Sequence, residues 1–152
     1  LKAAIKPSTT LITVMYANNE TGTLFPIDRI GEIAREHGVT FHTDAVQAGG
    51  KIPLDTKKLN VDLLTISGHK LYGPKGVGAL YIRRGVKLVP LIHGGHHERN
   101  RRGGTENVAG IAGLGRACEI ALRDMDREVE HTSALRDRLE KALMEKIPHT
   151  YL

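Results

Sequence analysis

Apolar and β-branched residues run almost without interruption over residues 11–17, from Leu11 through Ile12, Val14 and Met15 to Ala17. That is the pattern of a strand covered on both faces. The period then changes. Behind Pro26, Ile27, Ile30, Ile33 and Ala34 recur at helical spacing, Asp28 and Glu32 stand in the early turns, and Gly38 follows as a stop. A helix from Pro26 to about His37 is predicted. Shorter apolar runs at residues 39–44, 62–67 and 78–83 predict three more strands, the second carried by Leu63, Leu64 and Ile66. Strands alternating with helical segments define an α/β layer fold with a mostly parallel sheet.

From about residue 105 the helical period holds to about residue 146. Its first part is small and apolar (Gly110, Ala112, Gly113, Gly115, Ala117), which predicts close packing. Its second part is dense in charge, with a narrow stripe of Met125, Val129, Leu135, Leu139, Leu143 and Met144. A long charged helix of this kind bridges domains, and Ile147-Pro148 marks its end. Residues 1–125 are therefore expected to form part of a large domain, and residues 126–152 a bridging helix and the start of a small C-terminal domain. Thr150-Tyr151-Leu152 reads as the opening of a strand. With Leu1 in the place of an initiator methionine, the chain reads as a central fragment of a longer protein.

Composition changes this picture little. At 40% hydrophobic and 26% charged residues, the 152-residue chain is ordinary for a globular domain. Its apolar runs are too short to span a bilayer, and no charged n-region with an apolar h-region opens it. Neither a membrane nor a secretory route is expected. The single cysteine, Cys118, rules out an internal disulfide framework and a cysteine-cluster metal site, and fits a reducing, cytoplasmic setting. The net charge of +5 is scattered, and four tyrosines, two phenylalanines and no tryptophan make a poor stacking platform for single strands. Nucleic acid is not an expected partner.

Three segments carry candidate chemistry, each just after a predicted strand. Ser67-Gly68-His69-Lys70, followed by Gly73-Pro74-Lys75-Gly76, stands at the carboxyl end of its strand, the edge where open α/β sheets bind ligands. Glycines there let backbone approach a ligand closely; Lys70 is otherwise a solvated loop lysine. The segment lacks the spacing of a P-loop. Asp44, in Thr43-Asp44-Ala45-Val46-Gln47, closes an apolar strand, where a carboxylate is costly unless paired. A pyridinium nitrogen is one suitable partner. A helix N-cap is the other reading, with Gln47 as the second half of a capping box. Asn18-Asn19-Glu20-Thr21-Gly22 is first a turn, and one of its amides is placed to reach a pocket shared with Asp44 and Lys70. All three segments converge on one edge of the sheet.

These segments, together with His42 ahead of Asp44, Gly94-Gly95-His96-His97-Glu98-Arg99 and Gly104-Thr105-Glu106-Asn107, resemble the cysteine desulfurases, fold-type I pyridoxal 5'-phosphate (PLP) enzymes of the class V aminotransferase group. The match runs in order over nearly the whole chain, and Gly104-Thr105-Glu106-Asn107 is closer to the nitrogen-fixation branch than to the housekeeping iron–sulfur branch. The resemblance implies a three-layer α/β/α large domain, incomplete in this fragment, in which Lys70 holds the cofactor as a Schiff base and later moves the substrate's α-proton. It implies that Asp44 pairs with the pyridine nitrogen, that Gln47 hydrogen-bonds the phenolic oxygen with Asn19 beside it, and that Ser67 and His69 contact the phosphate. Thr105 would reach the phosphate in the partner subunit, which makes the site a feature of a homodimer. The implied substrate is L-cysteine, and the implied partners include a scaffold or sulfur-acceptor protein for iron–sulfur cluster assembly.

Four parts of the family's machinery are expected outside this chain: a ring-stacking histidine and a Gly-Thr-Thr phosphate loop upstream, a nucleophilic loop cysteine and a carboxylate-binding arginine downstream. The fragment alone is expected to be inactive. Cys118 reads as a small buried hydrophobe within a helix. His96, His97 and Glu98 lack a third ligand at a standard offset, so no metal is expected. Arg99, Arg101 and Arg102 form a basic corner beside Thr105, and His42 reads as a satisfied core group. The competing readings are a selenocysteine lyase or another class V enzyme, and a non-catalytic scaffold.

Overall fold

The computed structural model describes residues 1–151. Strands β1 (Leu11–Met15), β2 (Thr40–Asp44), β3 (Leu63–Ser67) and β4 (Gly78–Ile82) form one open sheet in that order. β1, β2 and β3 are parallel and β4 is antiparallel to β3. Met15 stands opposite Asp44, and Asp44 opposite Thr65. The chain thus leaves β1, β2 and β3 at the same edge, as the convergence of motifs requires.

Helix α1 (Ile27–Glu36) begins after Pro26 and ends before Gly38, which takes a left-handed φ of 64°. Its first-turn Asp28 and last-turn Arg35 complement the helix dipole. Ile27 and Ala34 bury against Ile12, Phe41, Ala45, Ala48 and Leu64, the main core. These contacts all fall on one sheet face. On β1, Ile12 is buried, while Leu11 and Met15 are 49% and 39% exposed. Within this chain β1 is therefore covered on one face: the described residues supply the sheet and the helical layer on one side. Nearly continuous apolar sequence records two apolar faces, but it does not supply a second layer to cover them.

The segment after β3 is a 3₁₀ turn, Gly68–Leu71. The Gly68 amide donates to the Val77 carbonyl and the Gly73 amide to the Gly68 carbonyl, both at 2.9 Å. A Cβ on Gly78 would lie 2.7 Å from the Ile66 carbonyl oxygen. The glycine here lets the loop fold back on β3, backbone against backbone.

Helix α2 (Val108–Lys146) is continuous. The side chain of Asn107 caps it by accepting from the Gly110 amide at 3.0 Å. Leu114 and Ala117 bury with Leu71 and, through Ile66, join the sheet face that carries the main core. Close packing at the small residues is confined to certain positions: a Cβ on Gly113 would sit 2.6 Å from Pro74 Cγ, whereas one on Gly115 would meet nothing within 4 Å. Beyond Ala121 the stripe is open, with Leu139 61% exposed. The backbone turns extended at Ile147, ahead of Pro148. Thr150 and Tyr151 adopt no strand, and Leu152 lies outside the described residues. No helix among the described residues is long and apolar enough to cross a membrane.

Candidate active site

Asp44 is the last residue of β2, and its side chain stands on the open sheet face with those of Thr13, Met15, His42, Thr65 and Ser67. Of the two readings of Asp44, the capping box is absent, because β2 is followed by successive turns rather than a helix. Asp44 Oδ1 instead accepts from the Val46 amide at 2.9 Å, closing a local turn. Asp44 is exposed and has no cationic partner among the described residues. The cost of a buried carboxylate, expected from its place at the end of an apolar strand, does not arise, since the face it joins is open. Gln47 is half-buried in the turn that follows.

After β1, Asn18 takes the structural role. Its Oδ1 accepts from the amides of Glu20 and Thr21, both at 2.9 Å, and from the Thr21 hydroxyl at 3.1 Å. Asn19 is exposed, and its side chain makes no hydrogen bond among the described residues. Of the two amides, Asn19 is the one left for a ligand.

After β3, Ser67 Oγ and His69 Nδ1 lie 2.7 Å apart. Lys70 follows in the 3₁₀ turn, half-buried and without an acidic partner among the described residues. It also lines a cavity of about 380 Å³ between this turn and α2, with Lys51, Leu71, Ile120, Asp124 and Val129. Asn19, Asp44, Gln47, Ser67 and His69 do not line it, so Lys70 is where the cavity and the sheet edge meet. Lys51 carried no signal in the sequence, where it ends a run of glycines. Burial pushes its ammonium below the ordinary lysine range, and the charge of Lys70 adds to this.

Thr105 comes from a different segment. It is exposed on the long segment between β4 and α2. That segment is organised internally: the Gly103 amide donates to the Ile92 carbonyl at 2.7 Å, and His97 Nδ1 lies 2.9 Å from Glu106 Oε1. His97 holds Glu106 below the ordinary carboxylate range. Among the described residues no three His, Cys, Asp or Glu side chains gather as a metal site. Cys118 is half-buried in α2 beside the Leu71–Leu114 cluster, and burial raises its thiol pKa.

His42, which reads from the sequence as a satisfied core group, bridges two neighbouring strands. Its Nδ1 lies 2.7 Å from Thr13 Oγ1 and its Nε2 lies 2.7 Å from Thr65 Oγ1. Burial lowers its pKa, against the smaller, opposite pull of Asp44.

A mostly parallel open sheet, with an unpaired carboxylate and a lysine after neighbouring strands at its carboxyl edge, defines the class: the chain belongs to the aminotransferase class-V family, which it matches over residues 1–152. Within that family it is 57% identical over 148 residues to a cysteine desulfurase of Nostoc sp., covering 97% of this chain and 37% of that protein. It is 58% identical over 152 residues to the cysteine desulfurase IscS of Methanosarcina thermophila, covering 100% of this chain and 37% of that protein. Among solved structures, a NifS-like protein superposes with a TM-score of 0.91 at 44% identity, over 95% of this chain and 40% of the other. SspA in complex with cysteine superposes at 0.75 with 52% identity, over 78% of this chain and 35% of the other. The chain thus spans well under half the length of these relatives.

Proposed function

We propose that the protein containing this chain is a cysteine desulfurase, which uses PLP to take sulfur from L-cysteine and release L-alanine. The observation that carries this reading is the arrival of Asn19, Asp44, Gln47, Ser67, His69 and Lys70 at one sheet edge, in a chain 57% identical to a named cysteine desulfurase. The residues fit the cofactor. Asp44 is an anion without a cation and Lys70 a cation without an anion among the described residues. The carboxylate suits a protonated ring nitrogen, and the lysine, once its amine has given up its proton, can add to an aldehyde carbon. The Ser67–His69 pair beside them suits an anionic phosphate.

Lys70 would hold the cofactor covalently, and its amine, once displaced by substrate, would carry the α-proton. When bound, PLP supplies the electron sink that makes this proton removable. Asp44 would keep the ring nitrogen protonated, Gln47 would donate to the phenolic oxygen with Asn19 beside it, and Ser67 and His69 would hold the phosphate. Sulfur transfer needs a thiolate that forms an S–S bond as the C–S bond of cysteine breaks. Cys118, half-buried and with its thiol pKa raised, is unsuited to this, so the nucleophile comes from elsewhere in the protein.

Thr105, exposed on the segment before α2, would serve the partner subunit's phosphate in a homodimer. The exposed apolar stripe of α2 supports residues 126–152 as a bridge to a small domain. A cytoplasmic enzyme passing sulfur to a scaffold or acceptor protein completes the reading.

The test is PLP addition to the purified full-length protein, with borohydride trapping and peptide mapping. Label on Lys70 is expected, and label spread over surface lysines overturns the assignment. Lys70→Ala should lower alanine formation by at least the ~10²–10⁴-fold that a positioned base contributes; a near-normal rate removes Lys70 from its role. L-Selenocysteine assayed beside L-cysteine separates a lyase from a desulfurase.

A further inference from the structure

On the open sheet face the described residues supply no helix, and the strands are only five residues long. Main-chain hydrogen bonds are then the chief restraint on where each strand ends. One side-chain device crosses three strands there: Thr13 on β1, His42 on β2 and Thr65 on β3, joined at 2.7 Å on both sides of the imidazole. Parallel strands lie about 4.8 Å apart, so a side chain that meets both neighbours at once locks β2 laterally. Two residues on, on the same face, is Asp44. Its Oδ1 is committed to the Val46 amide, and Oδ2 has no hydrogen bond among the described residues.

We infer that His42 is the positioning residue for Asp44: the Thr13–His42–Thr65 clasp fixes the end of β2, and thereby where the free oxygen of Asp44 meets a ligand's ring nitrogen. This rests on the proposed function. Imidazole suits the task on two grounds. A neutral ring has one donor and one acceptor, and each threonine hydroxyl supplies the complement, so either tautomer satisfies both arms. A neutral ring also does not compete with a pyridinium for the carboxylate. Burial favours that neutral form. Asp44 is the charged group on its own strand that faces it; β1 and β3 present Thr13, Met15, Leu63, Thr65 and Ser67, all uncharged, and α1 packs on the opposite face. Protonating His42 in acid would set a cation behind Asp44 and weaken its hold on the ring nitrogen.

The experiment uses the full-length protein, stripped of cofactor and titrated with PLP, and reads affinity and the pH profile of the visible absorbance. His42→Phe and Thr65→Val should each weaken PLP binding about tenfold, the effect of about one hydrogen bond. Both should shift the acid limb of the pH profile. The double variant should be no worse than His42→Phe alone, and His42→Gln, which keeps a donor and an acceptor, should recover part of the loss. Folded variants with wild-type affinity and an unchanged pH profile overturn the inference. If His42→Phe does not fold, Thr65→Val decides by the same two readouts. A wild-type protein that takes up no PLP overturns the proposed function and this inference with it. Wild-type uptake with indifferent variants overturns the inference alone.

Discussion

The two faces of the sheet are built on opposite terms. One carries Ile12, Phe41, Thr43 and Leu64, all buried beneath α1 and the turns that follow β2. Even its polar member is paired, with the Thr43 hydroxyl donating to the Val14 carbonyl at 3.0 Å. The other carries Thr13, His42, Asp44, Thr65 and Ser67 among exposed Leu11, Met15 and Leu80. The first face supplies the apolar burial that holds the strands together. The second presents polar groups at fixed spacing, with Asp44 left free to meet a partner. Because side chains alternate along a strand, the same five residues of β2 serve both purposes, and a change on one face need not disturb the other.

The sharpest way to break this division is to exchange burdens between the faces. In the full-length protein Phe41→Ala should cost about 3–5 kcal/mol, the usual range for a fully buried aromatic, measured by urea unfolding. Leu80→Ala on the other face should cost under about 1 kcal/mol, as exposed substitutions do. A loss at Leu80 matching that at Phe41 would mean that a further layer covers this face in the full-length protein.

A finer version of the comparison lies within α2. Gly113→Ala drives a methyl into Pro74 and should cost about 1–3 kcal/mol. Gly115→Ala, which meets open space, should stabilise by up to about 1 kcal/mol through helix propensity. Equal effects from the two would show that the helix does not dock on Pro74.

The smallest expected effect is in acid. Unfolded, His42 titrates near 6.5; folded, burial lowers that value. Between the two the unfolded chain binds more protons, so stability is full above about pH 6.5 and declines as pH falls through the folded value. His42→Phe should flatten this part of the stability profile, and an unchanged slope would assign it to other groups.

Much of this was legible beforehand. The four strands and α1 were expected within two residues of their bounds, because apolar period and proline–glycine punctuation are local signals. The meeting of the three motifs at one edge followed from parallel strands, whose chains all leave at the same end. What the pattern does not carry is context. Residues 11–17 read as covered on both faces because sequence reports which side chains are apolar, not whether a layer lies over them. Asp44 reads from the sequence as a carboxylate that is either paired or capping, and among the described residues it closes a local turn and meets no cation.

The chain's order of residues therefore determined on its own where strands and helices fall, which side chains reach the sheet edge, and the family to which the whole belongs. Only the tertiary structure decided which amide of Asn18 and Asn19 is spent on the turn. Only it brought Lys51 to the cavity beside Lys70, and only it set His42 between two hydroxyls 29 residues before and 23 residues after it in the chain. The physical reason is one of range. Period, caps and breakers act within a few residues, whereas burial and hydrogen-bond partnership across strands depend on neighbours that sequence distance does not reveal.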